Sequence, residues 1–285
     1  MNETTRHQEK IREQYASGTG AVFYRRVMGD GTPVIHYGIY QNQTTPMQEA
    51  TAAATARLLE IASHMAGDQT PRHVLDLGAG PGGPAHQIAA STGAEVTCVD
   101  LCEHHHHENE SLAASLGLTG NIRTWCGSFE RLPDSWSGRF DLVWSQEAIC
   151  HALDPEAVFR EAFRVLRPGG ALVFSDILLA DDADDAMAAA FRQVNAVTFL
   201  RTAAEITAWM ARQGFDSIRQ QDWSAHLPEN FRRMRCQIDR HRRELRAAGM
   251  AGELLDRFAA SLDQRLSWPA GSVLRWQAFA ASRPP

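Results

Sequence analysis

A glycine-rich turn follows an apolar run at residues 74–83, which read VLDLGAGPGG. Gly78, Gly80 and Gly83 have the G-x-G-x-x-G spacing of dinucleotide-binding loops, in which backbone amides at a helix N-terminus hold a pyrophosphate. Any tight strand-to-helix turn also selects glycine, so the spacing alone is weak evidence of binding. Asp76 argues against a pyrophosphate, because a carboxylate two residues before the first glycine would repel the phosphates.

The charge of Asp76 predicts a ligand that is positively charged and carries no phosphate. S-adenosylmethionine meets this requirement, since it has an ammonium and a sulfonium group. Asp100 follows at the end of the run EVTCVD, where a carboxylate can accept hydrogen bonds from both hydroxyls of a ribose. NAD enzymes share this second acid, so Asp100 does not discriminate between the two cofactors.

Strands and helices alternate in the part of the chain that must position these residues. Apolar runs predict strands at residues 73–77, 95–100, 122–126, 140–144, 171–176, 215–223 and 273–281. The alternation predicts an α/β fold with a mostly parallel, seven-stranded sheet and helices on both faces. Ligands of such sheets bind at the carboxyl ends of the strands, where these polar residues fall: Asp76, Asp100, Ser128, Ser145 and Asp176.

Capping patterns predict where several helices begin. Asp154 stands directly before Pro155, which is typical of a first helical turn. Thr45 and Thr202 each stand three residues before a Gln or Glu, which is the spacing of a capping box. Residues 14–40 are rich in glycine and aromatic residues without steady periodicity, so they predict an irregular segment rather than a helix.

We expect one core domain with additions rather than two independent domains. Residues 1–66 are predicted to form an N-terminal cap or lid segment followed by a helix, and residues 67–285 the main domain. A helical stretch around 226–268 predicts an insertion before the last strand.

Composition restricts the classes of function. The formal net charge of -6 and the isoelectric point near 6.0 argue against a protein that grips nucleic acid. Seven arginines at residues 232–246 are interspersed with acids, so we expect a solvated helix face or a contact within a homodimer. No run of 18 apolar residues occurs, so no membrane span is predicted.

The five cysteines form no C-x-x-C pair, which favours reduced thiols in a cytoplasmic protein. Four consecutive histidines at residues 104–107 could suggest a metal-binding site. Consecutive residues of a helix point to different faces, so no metal site is predicted.

Five motifs resemble, in order and spacing, those of the class I S-adenosylmethionine-dependent methyltransferases. They span residues 70–180 and read VLDLGAGPGG, VTCVDL, GSFERLP, FDLVWSQEAICHALD and RVLRPGGALVFSD. The resemblance implies a Rossmann-like fold and S-adenosyl-L-methionine as cofactor. By position it implies the following cofactor contacts: Asp76, Gly78, Gly80, Asp100, Leu101, Ser128, Phe129, Ser145 and Gln146. The family often has Asp where Ser128 stands, so the adenine contact departs from the usual pattern. The resemblance also implies a surface helix at the four histidines of residues 104–107.

A second resemblance concerns the methyl acceptor. Residues 12–180 are similar to the sarcosine/dimethylglycine N-methyltransferases, which make glycine betaine, and the match includes the run HYGIY at residues 36–40. This implies a small-molecule acceptor with an amino-acid-like amine. We predict that a lid of tyrosines keeps the site dry, although these rings could simply anchor the segment to the core. The predicted substrate contacts are Tyr24, His36, Tyr37 and Tyr40.

Tyr15, Glu147 and His151 are the candidates for catalysis. In the related phosphobase methyltransferases a histidine at the place of His151 pairs with an N-terminal tyrosine, whose counterpart is Tyr15. The ordinary pKa of histidine suits a group that takes a proton from an amine or hydroxyl, but His151 could instead fill a helix junction.

Glu147 stands where the betaine-forming enzymes carry Asp, whereas prenyl diphosphate C-methyltransferases carry a Glu in the corresponding loop. Its carboxylate could bind an amine, remove a proton after C-methylation, or only cap the following turn. Ile177 and Leu178 also differ from the residues of the dimethylglycine enzymes. A C- or O-methyltransferase of a more apolar metabolite is therefore the alternative, and a non-catalytic S-adenosylmethionine-binding protein is a remoter one.

Overall fold

The computed structural model describes residues 3–16, 18–65 and 70–285. Its centre is a seven-stranded sheet with the order β3-β2-β1-β4-β5-β7-β6. The strands are His73–Leu77 (β1), Glu95–Asp100 (β2), Ile122–Cys126 (β3), Phe140–Gln146 (β4), Leu166–Leu179 (β5), Asp216–Asp222 (β6) and Leu274–Ser282 (β7). Strands β1 to β5 are parallel, and β7 runs antiparallel between β5 and β6. The predicted mostly parallel sheet of seven strands is confirmed.

Ten α-helices lie in the described part of the chain. They are Glu3–Ala16 (α1), Gly18–Val27 (α2), Met47–Met65 (α3), Gly83–Thr92 (α4), Glu103–Ser115 (α5), Pro155–Val165 (α6), Ala189–Val194 (α7), Ala203–Gln213 (α8), Leu227–Ala247 (α9) and Gly252–Ser267 (α10). Helices α9 and α10 are the insertion predicted before the last strand. The predicted boundary between residues 66 and 67 lies outside the described residues and stays a prediction.

Alternate residues of the strands enter two different hydrophobic clusters, as the period of two in a strand requires. On one face Val74 of β1 belongs to the same cluster as Leu58 of α3. On the other face Leu75 belongs to the same cluster as Phe159 of α6 and Met210 of α8. Helices therefore cover both faces of the sheet and leave its carboxyl edge to carry the polar residues.

Two of the predicted helix caps are confirmed. Asp154 accepts the amide hydrogen of Ala157, and Thr202 and Glu205 form both bonds of a capping box. The capping box predicted at Thr45 is wrong. The hydroxyl of Thr45 accepts the amide hydrogen of Asn42 instead, and α3 begins at Met47.

The irregular segment predicted over residues 14–40 is also wrong in its first half, which forms the end of α1 and the whole of α2. The buried residues of α2 are Gly20, Phe23, Tyr24 and Val27, which have helical spacing. Its glycines lower the intrinsic helix propensity, but packing outweighs this penalty. The ring centroid of Phe23 lies 4.4 Å from that of Phe258 on α10.

Candidate active site

A large cavity opens at the carboxyl ends of β1, β2 and β4. The space between its walls amounts to about 1030 Å³, including the part that is open to solvent. The predicted cofactor contacts that line it are Gly78, Gly80, Asp100, Leu101, Ser128, Phe129 and Gln146. The predicted catalytic and substrate residues that line it are Tyr15, Tyr24, Tyr37, Glu147 and His151. One space thus holds most of the residues that the sequence singles out.

Backbone geometry in the turn after β1 explains the two glycines. Gly78 and Gly80 have φ of 76° and 53°, the left-handed region that side chains other than glycine rarely adopt. A Cβ on Gly78 would lie 2.3 Å from the Cβ of Ala148, which forbids a side chain there. The amide of Gly80 donates to Oδ2 of Asp100 at 2.9 Å, which joins the turn to the end of β2.

Asp76 is a buried acid with an unsatisfied oxygen. Its side chain is 2% exposed, and Oδ2 has no hydrogen-bond partner among the described residues. Burial, and then the charge of Asp100, raises the pKa of Asp76 to about 8. Asp76 lines a small pocket that shares Gly78 and Gln146 with the large cavity. An orphaned carboxylate oxygen in this place fits a ligand that brings a positive charge.

The run of four histidines is not wholly on the surface, which corrects the sequence-based expectation. His105 and His106 are 4% and 6% exposed, because the first turn of α5 packs beneath the end of β2. Nδ1 of His105 lies 3.2 Å from Oδ1 of Asp100, and Nε2 of His106 donates to the backbone carbonyl of the same residue. Burial raises the pKa of Asp100, but His105 and two backbone amides outweigh it and hold that pKa below its usual range.

One oxygen of Asp100 therefore carries several interactions already. Oδ1 also accepts the amide hydrogen of Cys102 at 2.8 Å. Asp100, Cys102 and His105 each offer one side-chain atom that could bind a metal ion, and these three atoms lie within 4.8 Å of one another. Sequence reasoning missed the part of His105, because nothing in four identical residues says which of them faces the sheet.

Tyr15 and His151 form the pair that the resemblance implies. The hydroxyl of Tyr15 and Nε2 of His151 are hydrogen-bonded at 3.0 Å, and the Tyr15 ring stacks on Tyr24 with centroids 4.5 Å apart. Burial lowers the pKa of His151 to about 4 and raises that of Tyr15 well above its usual value. Both groups are therefore uncharged near neutral pH, and the imidazole can take a hydrogen bond rather than carry a proton.

Helix α1 covers one side of the cavity and is tied to the strand ends. Nε of Arg12 donates to the carbonyl of Leu101 at 2.9 Å, and Nε2 of His7 donates to the carbonyl of His151 at 2.7 Å. Ile11 and Tyr15 of the same helix line the cavity. Sequence reasoning missed His7, because nothing in the sequence of α1 indicates that this helix contacts the loop that contains His151.

Glu147 projects a carboxylate held by three donors. Oε1 accepts from Ser175 at 2.6 Å and from the indole of Trp276 at 2.8 Å, while Oε2 accepts the amide hydrogen of Tyr37 at 3.1 Å. Burial raises the pKa of Glu147 to about 8. Its φ of 47° lies in the left-handed region, a cost that surrounding contacts must offset. The side chain therefore faces the cavity rather than capping the next turn.

Four predicted site residues lie apart from the large cavity. Ser145 is fully buried and donates to the carbonyl of Leu77, so it braces β4 against β1. Asp76 and His36 line only the small pocket, and Nδ1 of His36 donates to the carbonyl of Tyr37. Tyr40 packs with Met47 and Ala50 and lies beneath the guanidinium of Arg233. The substrate contact predicted for Tyr40 is therefore not supported by its position.

Comparison with known proteins indicates which reaction this chain catalyses. Residues 75–174 match the methyltransferase domain family. A sarcosine/dimethylglycine N-methyltransferase of Halorhodospira halochloris is 30% identical over 271 residues, which are 95% of this chain and 95% of that protein. The chain belongs to the sarcosine/dimethylglycine N-methyltransferase family. It is an S-adenosylmethionine-dependent methyltransferase.

Two further comparisons agree with this assignment of the methyltransferase. A glycine/sarcosine/dimethylglycine N-methyltransferase of Actinopolyspora halophila is 34% identical over 243 residues, which are 85% of this chain and 41% of that protein. A crystal structure of a provisionally assigned sarcosine dimethylglycine methyltransferase from Galdieria sulphuraria superposes with a TM-score of 0.85. At 22% identity over 95% of this chain and 98% of that one, it shows the Rossmann-like methyltransferase fold.

Binding of S-adenosylmethionine to this methyltransferase is expected to release a proton from Asp76. The pKa of that carboxyl is about 8, so it is mostly protonated at pH 6.5, and an adjacent cation favours the ionised form. Titration calorimetry at pH 6.5 in two buffers of different ionisation enthalpy should show release of most of a proton per cofactor bound. Affinity should rise with pH as Asp76 ionises.

The matched control is Asp76→Asn, which has no proton to release. Its observed binding heat should be the same in both buffers without any correction for their ionisation enthalpies. Wild-type binding without any proton release would contradict the placement of a cation beside Asp76.

Proposed function

We propose that this methyltransferase acts on the nitrogen of a small amino-acid-like amine such as sarcosine or dimethylglycine. The observation that carries the proposal is the Glu147 carboxylate, which Trp276 and Ser175 hold at the wall of a mostly aromatic and apolar cavity. The names of relatives that align over most of the chain support the same acceptor class.

S-adenosylmethionine supplies a methyl group on a positively charged sulfur. We propose that Asp76 with Gly78 and Gly80 holds its amino-acid end, and that Asp100 holds its ribose. Leu101, Ser128, Phe129 and Gln146 would border the rest. This assignment is supported by the orphaned oxygen of Asp76 and by the position of Asp100 at the end of β2.

The acceptor nitrogen must be uncharged to use its lone pair. In the transfer, that pair forms a bond to the methyl carbon, the carbon–sulfur pair returns to sulfur, and the positive charge moves to nitrogen. With a pKa of about 8, Glu147 can take the proton of an acceptor ammonium. Once that proton has passed on to solvent, the carboxylate faces the new cation. The ring faces of Tyr24 and Tyr37 stabilise the same charge.

Tyr15 and His151 are assigned a positioning role. The pKa of about 4 makes His151 a weak base, so its hydrogen bond with Tyr15 orients α1 over the acceptor rather than removing a proton. Correct orientation of two reacting atoms can contribute about 7–11 kcal/mol to a reaction barrier. A cover that excludes water serves this end without covalent chemistry.

The second candidate is a C- or O-methyltransferase of a more apolar metabolite, such as a prenyl diphosphate. One observation favours it. Apolar side chains make up much of the wall of the large cavity, among them Met28, Ile35, Ile177, Phe191 and Val197. In that case Glu147 would remove the proton that leaves after an alkene is methylated.

An acceptor panel separates these functions. Purified protein with methyl-labelled cofactor is expected to methylate sarcosine and dimethylglycine, and mass spectrometry should show glycine betaine as the product from the latter. Transfer to prenyl diphosphates or phenols alone would establish the second candidate. Tight binding of the cofactor without transfer to any acceptor would indicate a non-catalytic binding protein.

The cysteines and the charges of α9 bear on location and assembly. No helix within the described residues is long and apolar enough to span a bilayer. All five cysteines are free thiols, which supports a reducing, cytoplasmic setting. Arginines of α9 pair with acids, as Arg235 does with Asp263 and Arg242 with Asp256, so this face serves ion pairing or a homodimer contact rather than nucleic acid.

A further inference from the structure

Arg265 of α10 is a buried cation with an unused donor. Its side chain is 3% exposed. Nε donates to the carbonyl of Ser261 at 2.9 Å and Nη2 to the hydroxyl of the same residue at 3.2 Å, while Nη1 has no hydrogen-bond partner among the described residues. The guanidinium lies between two rings, 5.1 Å from the centroid of Phe191 and 4.9 Å from that of Phe231.

No carboxylate neutralises this charge within the described part of the chain. Burial lowers the pKa of Arg265 to about 10, so the group is still charged near neutral pH, and the neighbours that oppose this shift are Tyr37 and Tyr24 rather than an acid. Burial of a charge is strongly unfavourable unless an opposite charge compensates it. Aromatic faces offset part of this cost but offer no acceptor for the free N–H group.

The surroundings of Arg265 connect it to the acceptor end of the large cavity. Phe191, Tyr24 and Tyr37 all line that cavity. The guanidinium lies over the Phe191 ring, and Tyr37 and Tyr24 act on its charge. Tyr37 also joins Arg265 to Glu147, since its amide donates to Glu147 and its ring contacts Phe231 with centroids 6.0 Å apart. Tyr37 therefore contacts the carboxylate directly and the cation through Phe231.

The charges on the cavity wall make a cation necessary for an anionic acceptor. The acids that line the cavity are Asp100, Glu130 and Glu147, and the lining of the described cavity includes no lysine or arginine. His105 also lines the cavity with a raised pKa, but it pairs with Asp100 at the end of β2. Away from that pair, a carboxylate or phosphate in the cavity would meet only negative or neutral groups. Arg265 contacts Phe191 of that wall and can supply the missing positive charge.

We propose that Arg265 binds an anionic group of the methyl acceptor, a carboxylate or a phosphate, at the end of the cavity bounded by Tyr24, Tyr37 and Phe191. With Glu147 held by the Tyr37 amide at the same cavity, the two side chains complement a zwitterion: Arg265 takes the anion and Glu147 faces the amine. The carboxylate form of this inference rests on the proposed N-methylation of an amino acid, whereas the phosphate form fits the second candidate.

The test replaces Arg265 with methionine, which keeps the stem between the rings and removes the charge. The KM for dimethylglycine is expected to rise about 100-fold, as the loss of one partner of a buried charge pair does. N,N-dimethylethanolamine has no carboxylate, so its kcat/KM should stay within a few-fold, and the Kd of the cofactor should not change. Arg242→Met on α9, where Arg242 pairs with Asp256, is the matched control and should leave both acceptors unaffected.

A binding measurement keeps the inference separate from the proposed function. With adenosylhomocysteine bound, thermal unfolding is followed as glycine betaine, inorganic diphosphate or geranyl diphosphate is added. We expect at least one of these anions to raise the Tm of the wild type and not that of Arg265→Met. If the wild type methylates no amine, the proposed N-methylation fails, yet an anion effect that depends on Arg265 would still support the site.

Two results would overturn the inference: an unchanged preference for dimethylglycine over N,N-dimethylethanolamine in Arg265→Met, or no anion effect that depends on Arg265. If the methionine variant does not fold, Arg265→Lys replaces it. Lysine keeps the charge with fewer and differently directed donors, so the KM for dimethylglycine should rise while the preference for the anionic acceptor persists. Loss of that preference in a folded lysine variant would count against the inference.

Discussion

Glu147→Gln is expected to lower kcat/KM for the methyl acceptor by about 10²–10³-fold, the range found when one group that stabilises transition-state charge is removed. The amide keeps the shape of the side chain and can still accept from Trp276 and Ser175. It can neither take a proton from the acceptor nor face the new cation with a negative charge. The Kd of the cofactor should change little, which calorimetry checks.

The pH dependence of the same reaction follows from the sign of the pKa shift. Burial raises the pKa of Glu147 to about 8, so in the free enzyme the ionised, active form gains population as the pH rises towards that value. The wild-type kcat/KM should therefore increase between pH 6 and 8, and the part of this rise due to Glu147 should be absent in Glu147→Gln. A second variant, Glu147→Asp, keeps the charge and should retain more activity. Wild-type rates in Glu147→Gln would remove Glu147 from the mechanism.

Much of the fold could be predicted because it depends on local patterns. The strands that lead to Asp76 and Asp100 are short apolar runs that end in polar residues, and Asp154 and Thr202 are caps whose effect is confined to one turn. The residues predicted to contact the cofactor follow directly from strand ends, and seven of the nine line the large cavity. Helix α2 was missed because its helical spacing is interrupted by glycines that the packing tolerates. The cap at Thr45 and the burial of His105 and His106 were also predicted wrongly, since both depend on contacts beyond one turn.

The acceptor side depends on contacts between distant parts of the chain, which local patterns do not contain. Trp276 reaches Glu147 because β7 inserts antiparallel beside β5, where Trp276 pairs with Ile177. Both strands could be predicted from the sequence. Their pairing, and the direction in which the indole of Trp276 points, could not. Arg265 lies in a predicted helical stretch as one arginine among many, and only its burial between two rings sets it apart.

Gly78→Ala is expected to weaken cofactor binding by about 100-fold, the scale that follows from misplacing a binding group by an ångström. The φ of 76° is unfavourable for alanine, and the new Cβ would lie 2.3 Å from the Cβ of Ala148. Either the turn after β1 or the backbone at Ala148 must move, and both line the cavity. Calorimetry with adenosylhomocysteine measures the loss, and circular dichroism measures the thermal unfolding of the same variant.

Gly93→Ala separates the two causes of this loss. Gly93 ends α4 with φ of 74°, almost the value at Gly78, but a Cβ there would have nothing within 4 Å. Both substitutions carry the backbone penalty of about 1–2 kcal/mol, so both should lower the Tm. Only Gly78→Ala should also weaken cofactor binding, because only there does the new atom meet the wall of the cavity. Equal cofactor affinity in the two variants would mean that the turn after β1 does not hold the cofactor, and the assignment of Asp76 would fall with it.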